Sequence, residues 1–240
     1  MSRSNPTEHT PNPSTRWFEW NGEKGEVRYY DKDAKNNVDV GSDFTFLLLD
    51  QLGSVGGWHD PSQSGIYSNE VKDTRQDVMV VKAFKGGTLA EGLYKDIKDR
   101  VNAVGGQFVA NCYMAFKAGE GFSIGSLKLK GAALGAWMEF CKANRADLYA
   151  KAIRIDGFTE GKKGRIVFRV PVFTLKPLSE TTNAIAVGLD TQLQTFLDSY
   201  LKRTKRDQVE STMAPAHHVT DEEIAASSGP TTITDDDIPF

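Results

Sequence analysis

QFVANCYMAFKAGEGFSIGSLKLK, residues 107–130, decides the fold class of this chain. Residues 107–117 and 122–130 mix aromatic and aliphatic side chains with polar ones at the spacing typical of half-buried β-strands. The four residues between them, 118–121, contain two glycines and predict a tight turn. The sequence therefore predicts an antiparallel hairpin here, with further strands on either side of it.

Other segments with strand character precede and follow this hairpin. They are residues 17–30 (a hairpin turning at 21–25), 44–52, 66–68, 77–84, and a second hairpin made of 150–158 and 165–175. Apolar residues recur every three or four positions in three segments, which predicts helices over 88–104, 132–144 and 182–205. Polar residues 31–37 and the glycine-rich stretch 53–57 are expected to be loops.

The net charge of −3 averages two regions of opposite sign. All 29 lysines and arginines lie in residues 1–206, whereas residues 207–240 hold eight aspartates and glutamates and no basic residue. The C-terminal region therefore carries −8 and the remainder of the chain +5. Few aliphatic residues accompany these acids, so the sequence predicts a disordered acidic tail attached to a mildly basic domain.

The sequence ends in an apolar tip, Ile238-Pro239-Phe240, that follows three aspartates, Asp235, Asp236 and Asp237. Such a segment has the properties of a short linear ligand. Phe240 offers a ring and a carboxylate, Pro239 limits the conformations that binding must freeze, and the aspartates favour a basic partner surface. The segment DDDIPF resembles the C-terminal tip of bacterial-type single-stranded DNA-binding proteins.

The resemblance implies that the tip recruits replication, recombination and repair proteins, through Asp235, Asp236, Asp237, Ile238, Pro239 and Phe240. The body lacks the N-terminal strand sequence and the Gly/Gln-rich linker usual in the bacterial housekeeping members. We therefore expect a phage-encoded or divergent single-stranded DNA-binding protein. Its expected organisation is a disordered segment 1–16, a DNA-binding domain 17–206 and a disordered tail 207–240.

The order of the predicted elements indicates a mainly β, α+β fold. About seven strands with inserted helices and no regular βαβ alternation fit an elaborated antiparallel barrel of the OB type. The resemblance of the tip favours this barrel. The strands by themselves also fit other small α+β sheet proteins.

Candidate DNA contacts are places where aromatic and basic residues interleave on predicted strands, because bases stack on rings and phosphates bind cations. They are Trp20, Arg28, Tyr29, Lys82, Phe84, Lys85, Tyr113, Phe116, Lys117, Lys128, Lys130, Lys162, Lys163 and Arg165. About half the aromatic residues of an alternating strand face the core, so each ring is a candidate for stacking or for packing. Lys162, Lys163 and Arg165 share an expected hairpin tip, where packing does not account for three cations.

Several kinds of chemistry are not expected. Two separate cysteines and four histidines, two of them in the tail, have no zinc-ligand spacing, and no cofactor or metal is predicted. Gly53, Gly56 and Gly57 lack the lysine and hydroxyl of a phosphate-binding loop. Asp50 with Glu70-Val71-Lys72 imitates a metal-dependent nuclease motif, which leaves a nuclease as an alternative.

The function expected from the sequence is non-enzymatic, largely sequence-independent binding of single-stranded DNA, with partner recruitment by the tip. An adaptor or decoy that displays the tip without binding DNA is the alternative from another class. We expect no membrane association and a reducing, cytoplasmic location, in a bacterium or an infected host cell. The sequence leaves open the oligomeric state, a homo-oligomer included, and the preference between DNA and RNA.

Overall fold

A computed structural model describes residues 10–213, with side chains up to residue 205. The predicted partner-binding tip, residues 235–240, and the histidines at 217 and 218 lie outside the described residues. One compact unit extends to Leu201, and a second begins at Lys202.

The described residues form eleven strands, three α-helices and one short 3-10 helix. The strands are β1 (Arg16–Asn21), β2 (Glu26–Asp31), β3 (Asn36–Gly41), β4 (Asp43–His59), β5 (Ser64–Ser68), β6 (Met79–Ala83), β7 (Gly87–Gly92), β8 (Gly106–Ala118), β9 (Gly121–Lys130), β10 (Ala152–Lys163) and β11 (Ile166–Lys176). The helices are α1 (Tyr94–Ala103), α2 (Gly131–Ala143) and α3 (Glu180–Met213), and the 3-10 helix spans Asp60–Ser62. Within the described residues, no helix combines the length and the hydropathy needed to span a membrane.

All strands belong to one mixed sheet in the order β3-β2-β1-β9-β8-β4-β5-β6-β7. The pair β1–β9 is parallel, and the other ladders are antiparallel. β10 pairs with the first residues of β4, and β11 pairs with β10. The mainly β, α+β class predicted from the sequence is confirmed.

The sheet is open, which differs from a closed barrel. β10 follows β4 only as far as Asp156, where the register shifts, and continues with β11 as a two-stranded arm. Within the described residues no ladder joins β11 to β1. A single backbone hydrogen bond of 2.7 Å, donated by Arg169 N to Gly22 O, links β11 to the β1–β2 turn.

The long strand β4 is buried on both faces, since Phe46 and Leu48 join one core cluster and Leu47 and Leu49 join another. The first cluster also contains Ala133 and Trp137 of α2, and the second contains Leu193, Phe196 and Leu197 of α3. A third cluster packs Ile97 and Val101 of α1 onto Val55, Ile66 and Val81. Helices α2 and α3 therefore cover opposite faces of β4 and β8.

Three local predictions are wrong. Residues 36 and 37 belong to β3, and the glycines at 53–57 continue β4, because a glycine lets neighbouring backbone approach closely. The predicted helix 88–104 begins only at Tyr94, since residues 87–92 pair with β6 as β7. Leu89 contributes to the helical spacing of the sequence but lies on this strand.

The boundaries of the folded part also differ by a few residues from those predicted. Ser14 is buried and Thr15 N donates a 2.8 Å hydrogen bond to Ile124 O, so packing begins before residue 17. Helix α3 continues to Met213, past the expected boundary at residue 206.

Candidate nucleic-acid interface

The arm formed by β10 and β11 beyond Asp156 carries the most accessible group of predicted DNA contacts. Lys162 pairs with Val167 and Lys163 with Ile166, and Gly164 and Arg165 make the turn. Gly164 has a φ of 63°, a conformation that a glycine adopts without strain. The tight turn therefore brings the two lysines and Arg165 together at one tip.

The arm tip is exposed in both its charged and its apolar residues. Lys162, Lys163 and Arg165 are exposed, and none has a carboxylate partner within the described part of the chain. Ile166 and Val167 beside them are 70% and 50% exposed. A group of unpaired cations next to accessible aliphatic surface suits a ligand that is both anionic and partly apolar.

The base of the arm is anchored to the β1–β2 turn. Arg169 donates to Glu23 O, forms a 3.4 Å ion pair with Glu160, and places its guanidinium 5.3 Å from the Phe158 ring centroid. Trp20 Nε1 donates a 2.9 Å hydrogen bond to Arg169 O. These contacts hold the start of the arm, whereas its tip, residues 161–168, has no such contact with the sheet among the described residues.

Three predicted stacking residues lie in the core, so the prediction that they contact DNA is wrong. Trp20, Tyr113 and Phe116 are 6%, 3% and 2% exposed, so none has a ring face open to a base. Phe116 packs edge to face on Phe18 at 4.9 Å between ring centroids. The Tyr113 hydroxyl donates a 2.8 Å hydrogen bond to Glu70 Oε2, and burial raises the pKa of Tyr113.

Two further predicted contacts, Arg28 and Lys128, belong to a row of alternating charges across three strands. Glu19 of β1 lies opposite Arg28 of β2 and Lys128 of β9. Arg28 Nη2 is 2.6 Å from Glu19 Oε1. Burial lowers the pKa of Lys128, and the charges of Glu70 and Glu19 act in the opposite direction. This row has internal charge partners and is a weaker phosphate site than the arm tip.

Tyr29 and Phe84 are half-buried. The Tyr29 ring packs edge to face on Phe18 at 5.5 Å, and the Arg16 guanidinium lies over it at 4.6 Å. One face of Tyr29 is thus covered by Arg16, and the ring also contacts the core through Phe18, which disfavours base stacking.

The remaining predicted lysines, Lys82, Lys85, Lys117 and Lys130, are exposed but do not form one group. Lys117 and Lys130 lie at opposite ends of the β8–β9 ladder. Lys82 lies on β6 opposite Tyr67, and Lys85 follows that strand. The structure therefore separates these cations into the arm tip, the β6 region and isolated positions.

The candidate contacts predicted from the sequence omit three accessible aromatic residues, Trp17, Tyr30 and Trp58. Tyr30 and Trp58 are exposed, and half-buried Trp17 has the Lys32 ammonium 5.9 Å from its ring centroid. Trp17 and Tyr30 share a sheet face with the ion-paired Glu19 and Arg28 by strand alternation. The position of these charges was the available signal that this face is the solvated one.

The residues of the nuclease-like motif, Asp50, Glu70 and Lys72, form ion pairs and hydrogen bonds within the protein. Lys72 Nζ is 2.9 Å from Asp50 Oδ2, which also accepts a 3.0 Å hydrogen bond from Gln194 Nε2. Burial raises the pKa of Glu70, whose carboxylate accepts from Tyr113. No group of three or more His, Cys, Asp or Glu side chains placed to hold a metal occurs in the part of the chain that is described.

Comparisons of the chain with protein-family models, curated protein sequences and solved structures found no match. We therefore infer function from the residues and their placement.

Proposed function

We propose that this protein binds single-stranded DNA without catalysis and with little sequence preference. The observation that carries the proposal is the arm tip, where Lys162, Lys163 and Arg165 are exposed, unpaired by carboxylates among the described residues, and adjacent to exposed Ile166 and Val167. Cations release counterions from phosphates, and accessible apolar surface suits the faces of unstacked bases. The strands β1, β9, β8, β4 and β10 around the first core serve, in this proposal, as an OB-like barrel opened where the arm departs.

We further propose that residues 235–240 recruit replication, recombination or repair proteins. This part rests on the resemblance of DDDIPF to the tip of bacterial-type single-stranded DNA-binding proteins. The eight acids after residue 206 also favour association with basic partner surfaces. DNA binding by the body and partner binding by the tail are separate activities in this proposal.

The test of DNA binding is fluorescence anisotropy with oligo-dT at several salt concentrations. The variant Lys162→Ala/Lys163→Ala/Arg165→Ala should bind roughly tenfold or more weakly at low salt. Its slope of log affinity against log salt should fall by about 2, since each phosphate contact to a single strand contributes about 0.7. The control Lys95→Ala/Lys98→Ala/Arg100→Ala removes the same charge from exposed positions of α1 and should change the slope less.

Three outcomes would contradict this function. Equal effects of the arm and α1 variants would show that the arm tip is not the binding element. No binding of oligo-dT by the wild type at low salt would favour the decoy. Mg²⁺-dependent cleavage of single strands that is lost in Glu70→Gln would favour the nuclease.

A further inference from the structure

The half of the sheet formed by the end of β4 with β5, β6 and β7 has two unlike faces. Helix α1 packs on Val55, Ile66 and Val81 on one of them. Strand alternation directs Trp58, Tyr67 and Lys82 away from α1. Trp58 is 52% exposed, Tyr67 half-buried and Lys82 exposed.

The ladder register places these residues side by side. Gly56 lies opposite Tyr67, Tyr67 opposite Lys82, and Trp58 opposite Gly65. Trp58 and Tyr67 are thus diagonal neighbours on one face, at a typical Cβ separation of about 7 Å. Lys82 is the direct cross-strand neighbour of Tyr67, at about 5 Å.

Two glycines form the floor between the rings. A Cβ on Gly65 would meet no other atom within 4 Å, which shows that the space above this residue is open. Gly56 lies beside Val109, whose Cγ2 is 3.3 Å from the position of a Cβ. The result is a shallow apolar surface bordered by Trp58 and Tyr67, which we call the glycine-floored face.

An ammonium group without a carboxylate partner lies on this face. Lys82 lies on it and Lys85 follows the same strand, and both are exposed without a carboxylate partner in the described part of the chain. Two exposed acids also border the face, since Glu91 is one row from Lys82 by register and Asp60 follows Trp58 by two residues. Exposed rings beside an uncompensated ammonium match a chain of bases joined by phosphates better than they match an uncharged apolar ligand.

We propose that the glycine-floored face is a base-stacking site for single-stranded DNA, with Trp58 and Tyr67 as the stacking rings and Lys82 as the phosphate contact. This inference rests on the proposed function and adds a site that contains none of the arm-tip residues. Gly65, which has open space above it, lets a flat base approach the sheet without a side chain in its way. The arm tip contributes charge, and the glycine-floored face contributes recognition of the base.

The experiment compares oligo-dT of about 20 nucleotides, longer than one typical site, with an abasic strand of the same length. The wild type should prefer oligo-dT, since an abasic strand has phosphates but no rings. Trp58→Ala/Tyr67→Ala should weaken binding of oligo-dT about tenfold or more, lose that preference and keep the salt slope. Trp58→Phe/Tyr67→Phe should retain most of the preference, and Tyr149→Ala, a loss of an exposed ring elsewhere, should resemble the wild type.

The outcomes separate this site from the proposed function. If the wild type binds neither strand at low salt, the proposed function and this site both fail. If the wild type prefers oligo-dT and Trp58→Ala/Tyr67→Ala keeps that preference, only this site is overturned. Ultraviolet cross-linking of an iodouracil-substituted strand to the wild type gives an independent readout. Cross-links at Trp58 or Tyr67 support the site, and cross-links confined to the arm contradict it.

Discussion

Trp17 and Trp20 lie three positions apart on β1 and therefore face opposite sides of the sheet. Trp20 is enclosed and donates to Arg169 O, so its indole holds the base of the arm. Trp17 shares the other face with Glu19, which forms an ion pair with Arg28. Charged side chains are costly to bury in an apolar core, so this face is exposed to solvent or contacts a binding partner. At the scale of the residue, the same aromatic type is a core anchor at one position and an accessible ring at the other.

Glu70 leads to a prediction about pH. Burial raises the pKa of its carboxyl, although the Tyr113 hydrogen bond and the charge of Lys128 act in the opposite direction. As pH rises above about 4, the unfolded chain releases this proton before the folded protein does, so Glu70 makes the free energy of unfolding fall. Glu70→Gln lacks this titration. Its stability relative to wild type should therefore increase between about pH 4 and pH 7, as measured by urea unfolding.

The matched control for this experiment is Glu91→Gln, the same change at an exposed position of β7. A stability difference between Glu70→Gln and wild type that stays constant with pH, or falls as pH rises, would contradict the prediction.

At the scale of the element, β4 organises the molecule because it packs against all three core clusters. The register with β8 shifts between Leu48 and Asp50, which inserts one extra residue into β4. Leu49 and Asp50 consequently both face α3, where Asp50 accepts from Gln194. Gln51 faces α2 and accepts a 2.7 Å hydrogen bond from Trp137 Nε1.

The glycines of β4 and β5 lead to a prediction about stability. A Cβ on Gly57 would lie 2.2 Å from Gly105 O, a backbone atom of the turn before β8, so Gly57→Ala requires the backbone to shift. The free energy of unfolding should fall by about 1–3 kcal/mol or more. Gly65→Ala, in the paired strand β5, has open space and should leave stability unchanged or raise it by about 0.5–1 kcal/mol.

Thermal and urea unfolding of the two variants measure this difference directly. Equal effects of Gly57→Ala and Gly65→Ala would show that close approach to Gly105 does not limit residue 57.

At the scale of the whole molecule, charge is divided between a body of +5 and a C-terminal region of −8. Opposite charges on one chain attract at low salt, so the acidic region is expected to compete with DNA for the arm tip and the glycine-floored face. The competition should weaken as the Debye length falls to about 8 Å at physiological ionic strength.

Deletion of residues 214–240, which removes six acids and leaves α3 intact, tests this competition. The shortened protein should bind oligo-dT more tightly than the full chain at low salt and equally at high salt, by anisotropy. Replacing the six acids by Asn and Gln should have the same effect. Deletion of Phe240 alone should leave DNA affinity unchanged and abolish partner docking. Loss of DNA binding on truncation would contradict the division between body and tail.

Local pattern predicted most of the elements. The spacing of apolar residues and the turn-forming residues, both of which are local signals, predicted these elements correctly. They are the hairpins at 17–30 and 107–130, the arm strands, and helices α2 and α3. The candidate contacts that depend only on exposure at a turn, Lys162, Lys163 and Arg165, are accessible as expected. The failures are at β3, at β7 and at the glycines of β4. β3 and β7 each pair with the strand directly before them, and the glycines of β4 pair with β8, which is distant in sequence. In all three places strand pairing decided the conformation against the local preference of the residues.

Composition and periodicity determine the α+β class, the charge division and the basic hairpin tip, because these depend on residue types and their immediate neighbours. Only the tertiary structure decides which face of each strand meets a helix. It therefore assigns Trp20, Tyr113 and Phe116 to the core and leaves Trp58 accessible. The physical reason is that strand alternation divides the side chains between two faces but does not determine which face is buried. The packing of α1, α2 and α3 determines which face is buried.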